Sequence, residues 1–214
     1  FFNSFGSGMY MVLLATAQSW SAVLMMRAYD LNEAEAGTLL GIMIIPSILS
    51  PVIGGAIGDA LQKRFVNGRP LFCGFASLAV LLVYAIQFYA AGLVPLPAYI
   101  VISVIVGLLT SGPIAVYHMI IQDVVPSDKR GVGAAIIVFV QYALFTWWGA
   151  TLVGKVSDIL GGGVFGLRMA MLTVIPFTLV GAVLFFIAAK HYAQDAANAD
   201  AQDVIIADAV KAAS

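Results

Sequence analysis

The residues best suited to do chemistry lie in the stretch GGAIGDALQKR, residues 54–64, where a long apolar run ends. It holds one carboxylate, Asp59, followed about one helical turn later by the basic pair Lys63 and Arg64. A carboxylate is stabilised near the N-terminus of another helix, where unpaired N–H groups and the helix dipole present partial positive charge. Lys63 and Arg64 could instead hold it, or pair with an acidic residue of a later loop such as Asp123. The stretch is therefore either a working part of the protein or a solvated charge cluster that only fixes topology.

A second set of polar side chains interrupts the apolar runs at helical spacing. Burying an amide in lipid costs free energy unless it finds a partner, so we expect these side chains to face a bundle interior or a water-filled cavity. The candidates for lining such a cavity are Gln18, Trp20, Thr110, Tyr117, His118, Gln141, Tyr142 and Trp147. Hydrogen bonding between helices, with no ligand, is the alternative, above all for serine and threonine.

The composition places most of this chain in a membrane. Of its 214 residues, 62% are hydrophobic and 10% are charged, whereas a soluble domain carries about 25% charged residues. The net charge of −1 also argues against a nucleic-acid-binding surface, which would need a basic excess. Six apolar segments, each long enough for a helix to cross about 30 Å of hydrocarbon, run roughly over residues 5–26, 34–58, 71–92, 97–121, 132–154 and 168–189.

The apolar segments are predicted to be helices, because backbone polar groups in lipid must be paired within the segment. Helix-breaking residues recur at mid-depth and predict bends in a bundle that is able to flex. These are Pro46, Pro51, the SGP run at residues 111–113, and Pro176.

The distribution of Lys and Arg predicts the orientation, because these residues favour the cytoplasmic side. The side with both termini carries Lys63, Arg64, Arg69, Lys129, Arg130, Lys190 and Lys211, and the other side carries Arg27, Lys155 and Arg168. We therefore expect a six-helix bundle over residues 1–190 with both ends in the cytoplasm. Residues 191–214, rich in Ala and Asp, are expected to form a cytoplasmic tail that is either disordered or a short amphipathic helix.

The stretch around Asp59 resembles a motif of the major facilitator superfamily. That motif, Gly-x-x-x-Asp-x-x-x followed by two basic residues, lies in the cytoplasmic loop between the second and third helices of each six-helix half. The matching positions are Gly55, Gly58, Asp59, Lys63 and Arg64. Ala60 and Gln62 depart from the basic residue and the glycine of the family.

Three further stretches resemble the second half of such transporters. IIQDVVPSDKRGVGAA, residues 120–135, resembles the loop between helices ten and eleven, and GATLVGKVSD, residues 149–158, resembles the outer end of helix eleven. RAYDLNEAEAGTLLG, residues 27–41, resembles the outer loop before helix eight in Spinster-like members, a lipid-linked branch. In helix eleven, QYALFTWWGA replaces the glycine- and proline-rich middle of that branch. The chain, which does not open on Met, is therefore expected to be helices seven to twelve of a longer transporter.

The resemblance implies an all-α integral membrane protein of the plasma (bacterial inner) membrane, with six transmembrane helices forming one half of a major facilitator fold. It implies a secondary active or facilitative transporter, not an enzyme, that works by rocking two halves around a central site. Its partners would be the N-terminal half of the transporter, a small-molecule or lipid substrate and, where transport is coupled, a proton. No cofactor, metal or nucleic acid is expected.

The resemblance also implies that Asp59 docks against a helix of the missing half and latches the inner gate in the outward-open state. The gate motif would comprise Gly55, Gly58, Asp59, Lys63, Arg64, Asp123 and Arg130.

Charged residues are missing from the middle of every apolar segment. A coupling carboxylate would therefore lie in the missing half, or transport is uncoupled. His118, with an ordinary histidine pKa of about 6.5, is either a pH sensor or a hydrogen-bonded structural residue. An interior poor in charge and rich in Met and aromatic residues suits an amphipathic or lipid-like substrate better than a sugar acid or a phosphate, which would require arginine.

Two other classes of protein fit six helices. An intramembrane hydrolase would need a serine nucleophile and a histidine on a partner helix, but Ser111 and His118 lie seven residues apart on one predicted helix. A channel or scaffold would not explain the two cytoplasmic motifs. The sequence therefore favours a transporter.

Overall fold

Ten α-helices make up the part of the chain that the structure describes, residues 1–213, in a computed structural model. They are α1 Phe2–Tyr29, α2 Glu33–Ile44, α3 Ser50–Arg64, α4 Gly68–Ala90, α5 Leu96–Thr110, α6 Gly112–Val124, α7 Arg130–Phe139, α8 Trp147–Ile159, α9 Gly163–Leu172 and α10 Ile175–Ala213. No strand occurs within these residues, as the all-α prediction requires.

These helices join into six spans that are long and apolar enough to cross a membrane. In chain order, spans 1 to 6 are Phe2–Tyr29, Glu33–Arg64, Gly68–Ala90, Leu96–Val124, Ser127–Ile159 and Gly163–Ala209. Five of them contain the corresponding predicted apolar segment, and the third segment, residues 71–92, runs two residues past the end of span 3. The prediction of six helical spans is therefore confirmed.

Three of the predicted bends coincide with breaks between consecutive helices. Pro46 lies in the short 3-10 helix Ile45–Ile48 between α2 and α3, and Ser111 separates α5 from α6. Pro176 lies at the start of α10, just after α9 ends. Proline causes such breaks because it lacks a backbone N–H and its ring clashes with the preceding turn. Span 5 is interrupted instead by the π-helical segment Val140–Thr146, which contains no proline.

The core forms around α1, which packs against α2, α6, α8, α9 and α10. Its largest fully buried side chains are aromatic, among them Tyr10, Phe88, Tyr99, Tyr117 and Phe185. Spans 2 and 5 have the least protein around them: 22% and 33% of their apolar stretches are buried, against 39–44% in the other four spans. Spans 2 and 5 are therefore the two spans with the least protein cover.

Two close contacts with α6 position α3, the helix that carries Asp59. A Cβ on Gly54 would lie 2.3 Å from Gly112 Cα, and a Cβ on Gly58 would lie 2.9 Å from Val116 Cγ2. Glycine is therefore needed at both positions for α3 and α6 to approach this closely. At Gly55 a Cβ would make an ordinary contact, 3.7 Å from Met119 Cε.

The final helix extends far beyond the length of a membrane span. α10 has 39 residues, about 58 Å at 1.5 Å per residue, whereas about 20 residues are enough to cross the hydrocarbon. The sequence left disorder and a short separate helix open for residues 191–214. In the structure, residues 191–213 are helical and continue α10 without a break.

Candidate functional site

A cluster of charged and polar side chains lies where α3, α4, α6 and α10 meet. Arg69 Nη2 donates to Asp59 Oδ1 at 2.8 Å, and Arg69 Nη1 donates to both carboxylate oxygens of Asp123 at 2.6 Å. The Tyr192 hydroxyl donates to Asp123 Oδ2 at 2.7 Å. We call Asp59, Arg69, Asp123 and Tyr192 the Arg69 cluster. One guanidinium thus joins three helices, because its fork of N–H groups can serve two carboxylates at once.

The short turn between α3 and α4 sets the position of Arg69. The side chain of Gln62 accepts from the Arg69 backbone N–H at 3.0 Å and donates to the Val66 carbonyl at 2.7 Å. Gln62 is one of the two positions that depart from the motif, and here it organises the turn that presents Arg69. The cluster is partly exposed: the side chain of Asp59 is 46% accessible, against 21% for Arg69.

The sequence-based assignment of a partner for Asp59 needs correction. Within residues 1–213, neither Lys63 nor Arg64 forms an ion pair with Asp59 or Asp123, and Arg64 lies over the Phe65 ring at 5.6 Å. Arg69 pairs with the two carboxylates instead. From the sequence, Arg69 contributed only to the predicted orientation. Asp59 and Asp123, both assigned to the gate motif, do come together.

Arg130 of the gate motif lies apart from the Arg69 cluster and contacts the extension of α10. Asp203 accepts from the Ser127 N–H at 2.7 Å and from Ser127 Oγ at 2.9 Å, and Arg130 Nη2 lies 3.5 Å from Asp203 Oδ2. Asp203 therefore ties the extension of α10 to the start of span 5.

Between the extension of α10 and the Arg69 cluster lies a cavity of about 480 Å³. Its wall includes Gln62, Arg69, Asp123, Arg130 and Asp200. Because charged groups of both signs line it, it belongs to the charged end of the bundle and does not resemble a site for an apolar molecule.

A second cavity, of about 340 Å³, lies deeper, between spans 1, 2, 3 and 4. We call it the mid-bundle pocket. Its polar lining includes Gln18, Ser21, Ser47, Gln87, Ser103 and Thr110, and apolar side chains such as Leu14 and Met43 fill the rest of the wall. Among the described residues that line it, none is charged. The pocket therefore offers hydroxyl and amide groups within an apolar surround.

The residues expected to line a cavity divide between this pocket and other environments. Gln18 and Thr110 line the mid-bundle pocket. Three others do not line it and instead pack helices together. Trp20 Nε1 donates to the Ala150 carbonyl at 2.9 Å, Gln141 Nε2 donates to Ser7 Oγ at 3.0 Å, and Tyr117 is fully buried against the Phe185 ring at 6.3 Å. Hydrogen bonding between helices therefore describes Trp20 and Gln141, whereas Tyr117 packs between helices and its hydroxyl has no hydrogen-bond partner.

The last three expected cavity residues also lie outside the pocket. His118 is half-buried, with its ring 4.9 Å from the Tyr117 ring. Tyr142 and Trp147 are 58% and 68% exposed on span 5, one of the two spans with the least protein cover.

Sequence reasoning missed Tyr84 and Gln87, which line the pocket from span 3. They lie three residues apart within an apolar run, the same helical spacing that singled out spans 1, 4 and 5. That spacing was the available signal.

Comparison with solved structures identifies the fold. The chain is similar to two crystal structures of a bacterial homologue of the human lysosomal transporter Spinster. In the inward-facing, occupied structure the TM-score is 0.72 at 15% identity, covering 91% of this chain and 49% of the other. In the inward-facing, unoccupied structure the TM-score is 0.74 at 16% identity, covering 91% and 48%. No protein-family model matches the chain, and no curated protein matches it.

The chain spans about half the length of the structures it matches. At this level of identity the likeness concerns the fold. The six spans therefore have the fold of about half of the Spinster homologue they match, which confirms the predicted all-α, six-helix half-transporter fold; the cytoplasmic placement of both ends stays a prediction.

Proposed function

We propose that this chain, with the fold of half of a Spinster-like transporter, forms one half of a secondary active or facilitative transporter that works by alternating access. The observation that carries the proposal is the match of 91% of the chain to about half of a transporter structure. The matched structures are transporters, and within residues 1–213 no hydrogen bond joins Ser111 to His118. The alternatives of a hydrolase, a channel or a scaffold gain no support.

The second half of the transporter packs, in this proposal, against the face formed by spans 2 and 5. This face exposes large apolar side chains, among them Val52 at 71% and Trp147 at 68%. On span 2, Gly37 and Gly41 lie four residues apart, and a Cβ on either would meet nothing within 4 Å. Small residues at such spacing let membrane helices approach closely. The face is thus suited to an N-terminal six-helix half.

The Arg69 cluster would form part of the inner gate. Arg69 bonds to one oxygen of Asp59, and the Asp59 side chain is 46% accessible, so it remains able to meet the N-terminus of a helix in the second half. A half-exposed ion pair contributes about 1 kcal/mol or less. That is enough to change the relative populations of two conformations whose free energies differ by a few kcal/mol.

The orientation proposed from the Lys and Arg distribution puts the Arg69 cluster in the cytoplasm. Both ends of the bundle lie near this cluster, because the Phe2 ring stacks on the His191 ring at 5.8 Å and the extension of α10 contacts Asp123 through Tyr192, so the proposal puts both ends in the cytoplasm too. A plasma-membrane location, bacterial inner membrane in particular, is part of the same proposal.

The mid-bundle pocket would be this half's share of the substrate site. Its uncharged lining supports a small-molecule substrate with an apolar part, such as an amphipathic or lipid-like compound. An acid that couples transport to protons would then come from the second half, since a charged group in the hydrocarbon region is expensive and marks function.

Uptake into proteoliposomes that contain both halves tests the proposed function. We expect uptake of a labelled neutral amphiphile, NBD-monoacylglycerol, above that of protein-free vesicles, and a pH gradient shows whether it is proton-coupled. The proposal would be contradicted if neither this probe nor NBD amphiphiles with choline or carboxylate headgroups were taken up.

A further inference from the structure

Gln87 on α4 forms part of the wall of the mid-bundle pocket and is 7% exposed. Its Nε2 donates to Ser103 Oγ at 2.8 Å, and Ser103 Oγ donates to the Tyr99 carbonyl at 2.9 Å. Two helices, α4 and α5, are therefore joined by a short chain of hydrogen bonds that ends at Gln87.

This chain of bonds fixes which way the amide of Gln87 points. A serine hydroxyl has one proton, and the proton of Ser103 is used by the Tyr99 carbonyl. Ser103 Oγ can then only accept from Gln87, so the amide nitrogen must face Ser103. The Gln87 Oε1 atom is left on the other side.

Gln87 Oε1 is buried and has no hydrogen-bond partner. Other hydroxyl groups of the pocket wall are satisfied within their own helices: Thr110 Oγ1 donates to the Val106 carbonyl at 2.6 Å and Ser47 Oγ donates to the Ile44 carbonyl at 2.6 Å. Among the described residues that line the pocket, Gln87 Oε1 is the one buried side-chain atom without a partner. An unpaired buried acceptor costs more free energy than a made bond returns. Oε1 has almost no accessible surface, so a donor in the pocket reaches it by a small local shift of the wall, and pairing of this acceptor favours that shift.

We infer that the mid-bundle pocket selects a ligand that carries a neutral hydrogen-bond donor, a hydroxyl or an amide N–H, beside an apolar part, and that Gln87 Oε1 accepts from it. The inference rests on the proposed function in that the ligand is the transported substrate. The donor is neutral because no described residue lining the pocket is charged, and a charge buried without a partner is strongly disfavoured. A ligand with an acceptor in place of the donor leaves Oε1 unpaired and is rejected.

A pair of isomers with and without a donor tests the inference. The probes are 1-decanol and nonyl methyl ether, which have the same formula, and binding is measured as excess uptake by nanodiscs containing the two assembled halves over empty nanodiscs of the same lipid. We expect the wild type to bind the alcohol about 3- to 10-fold more tightly than the ether. Gln87→Met removes the acceptor at similar volume, so the preference falls to about 1 while ether binding is retained. Gln122→Met, an exposed glutamine outside the pocket, keeps the wild-type preference.

A second variant keeps the test decisive if Gln87→Met fails to fold. Ser103→Ala keeps Gln87 but removes the group that orients its amide, so the preference for the alcohol shrinks although the acceptor is present. Equal binding of the two isomers to the wild type, no binding of the alcohol, or an undiminished preference in both variants overturns the inference. If NBD-monoacylglycerol is taken up but the alcohol is not preferred over the ether, only this inference is wrong. If the alcohol is preferred but no NBD amphiphile is taken up, the proposed function is wrong and the acceptor role of Gln87 still holds.

Discussion

Arg69 holds two carboxylates that come from different helices, with N–O distances of 2.8 Å to Asp59 and 2.6 Å to Asp123. Without the guanidinium, two like charges would face each other at a partly buried position, where the interaction is screened less than at the surface. The neighbouring basic residue Arg64 has no carboxylate partner within residues 1–213 and contacts the Phe65 ring. Arg69 therefore supports the fold of this end of the bundle as well as any gate.

We predict that Arg69→Gln lowers the free energy of unfolding by about 2 kcal/mol, because hydrogen bonds to charged groups are worth about 1.5–3 kcal/mol. Arg69→Lys recovers part of the loss, since an ammonium is a point charge that lacks the flat fork of the guanidinium. SDS titration of the purified protein in mixed micelles measures both. Arg64→Gln is the matched control and should change stability by less than about 0.5 kcal/mol; equal effects of Arg69→Gln and Arg64→Gln would refute the role given to Arg69.

At the scale of the helices, α3 and α6 come into close backbone contact at Gly54 and Gly112. A Cβ on Gly54 would meet backbone atoms of Gly112 at 2.3–2.7 Å, and backbone cannot move aside as the end of a side chain can. We predict that Gly54→Ala costs about 3 kcal/mol or prevents folding, at the upper end of the usual cost of overpacking.

Gly55→Ala is the matched control for Gly54→Ala on the next residue. Its Cβ would lie 3.7 Å from Met119 Cε, so it should be neutral or slightly stabilising, because alanine favours a helix over glycine. Unfolding in mixed micelles and the monomer peak in size-exclusion chromatography compare the two variants. If Gly54→Ala folds as well as Gly55→Ala, the described crossing of α3 and α6 is wrong.

The elements were predictable where their cause is local. Apolar length located the six spans, and Pro46 and the SGP run located two bends. Asn32 followed by Glu35 is also a local signal, and the structure has the corresponding capping box at the start of α2. The π-helical segment Val140–Thr146 has no such signal in its residues. It arises where span 5 packs on α1, so tertiary contacts decide it.

The site was predictable only in part because its partners meet through packing. Asp59 and Asp123 were both assigned to the gate, but Arg69 joins them only once α3, α4 and α6 have packed, and Asp123 is 54 residues away from Arg69 in the sequence. Trp20 and Gln141 have the residue type of a cavity lining. Whether such a residue meets a ligand or another helix depends on the neighbour that it faces, here Ala150 and Ser7.

On the scale of the whole molecule, spans 2 and 5 have the least protein around them, and the mid-bundle pocket is walled by spans 1 to 4. Under the proposed function, the second half covers spans 2 and 5 and completes the pocket, and the Arg69 cluster lies at one end of the joint between the halves. Rocking of the halves would then open the pocket to each side of the membrane in turn.

Labelling of a cysteine in the pocket, from each side of the membrane, tests this account most directly. Ser47 lines the pocket on span 2, and Cys73 is the one cysteine of these 214 residues. Ser47→Cys with Cys73→Ser, in a two-half protein whose other half has its cysteines replaced by serine, gives one reporter thiol. With a membrane-impermeant thiol reagent on spheroplasts and on inverted vesicles, alternating access predicts labelling from both sides. Asp59→Asn should then lower the ratio of outside to inside labelling by up to about 5-fold, the effect of about 1 kcal/mol. Labelling from one side only, or a ratio that Asp59→Asn leaves unchanged, would contradict the account.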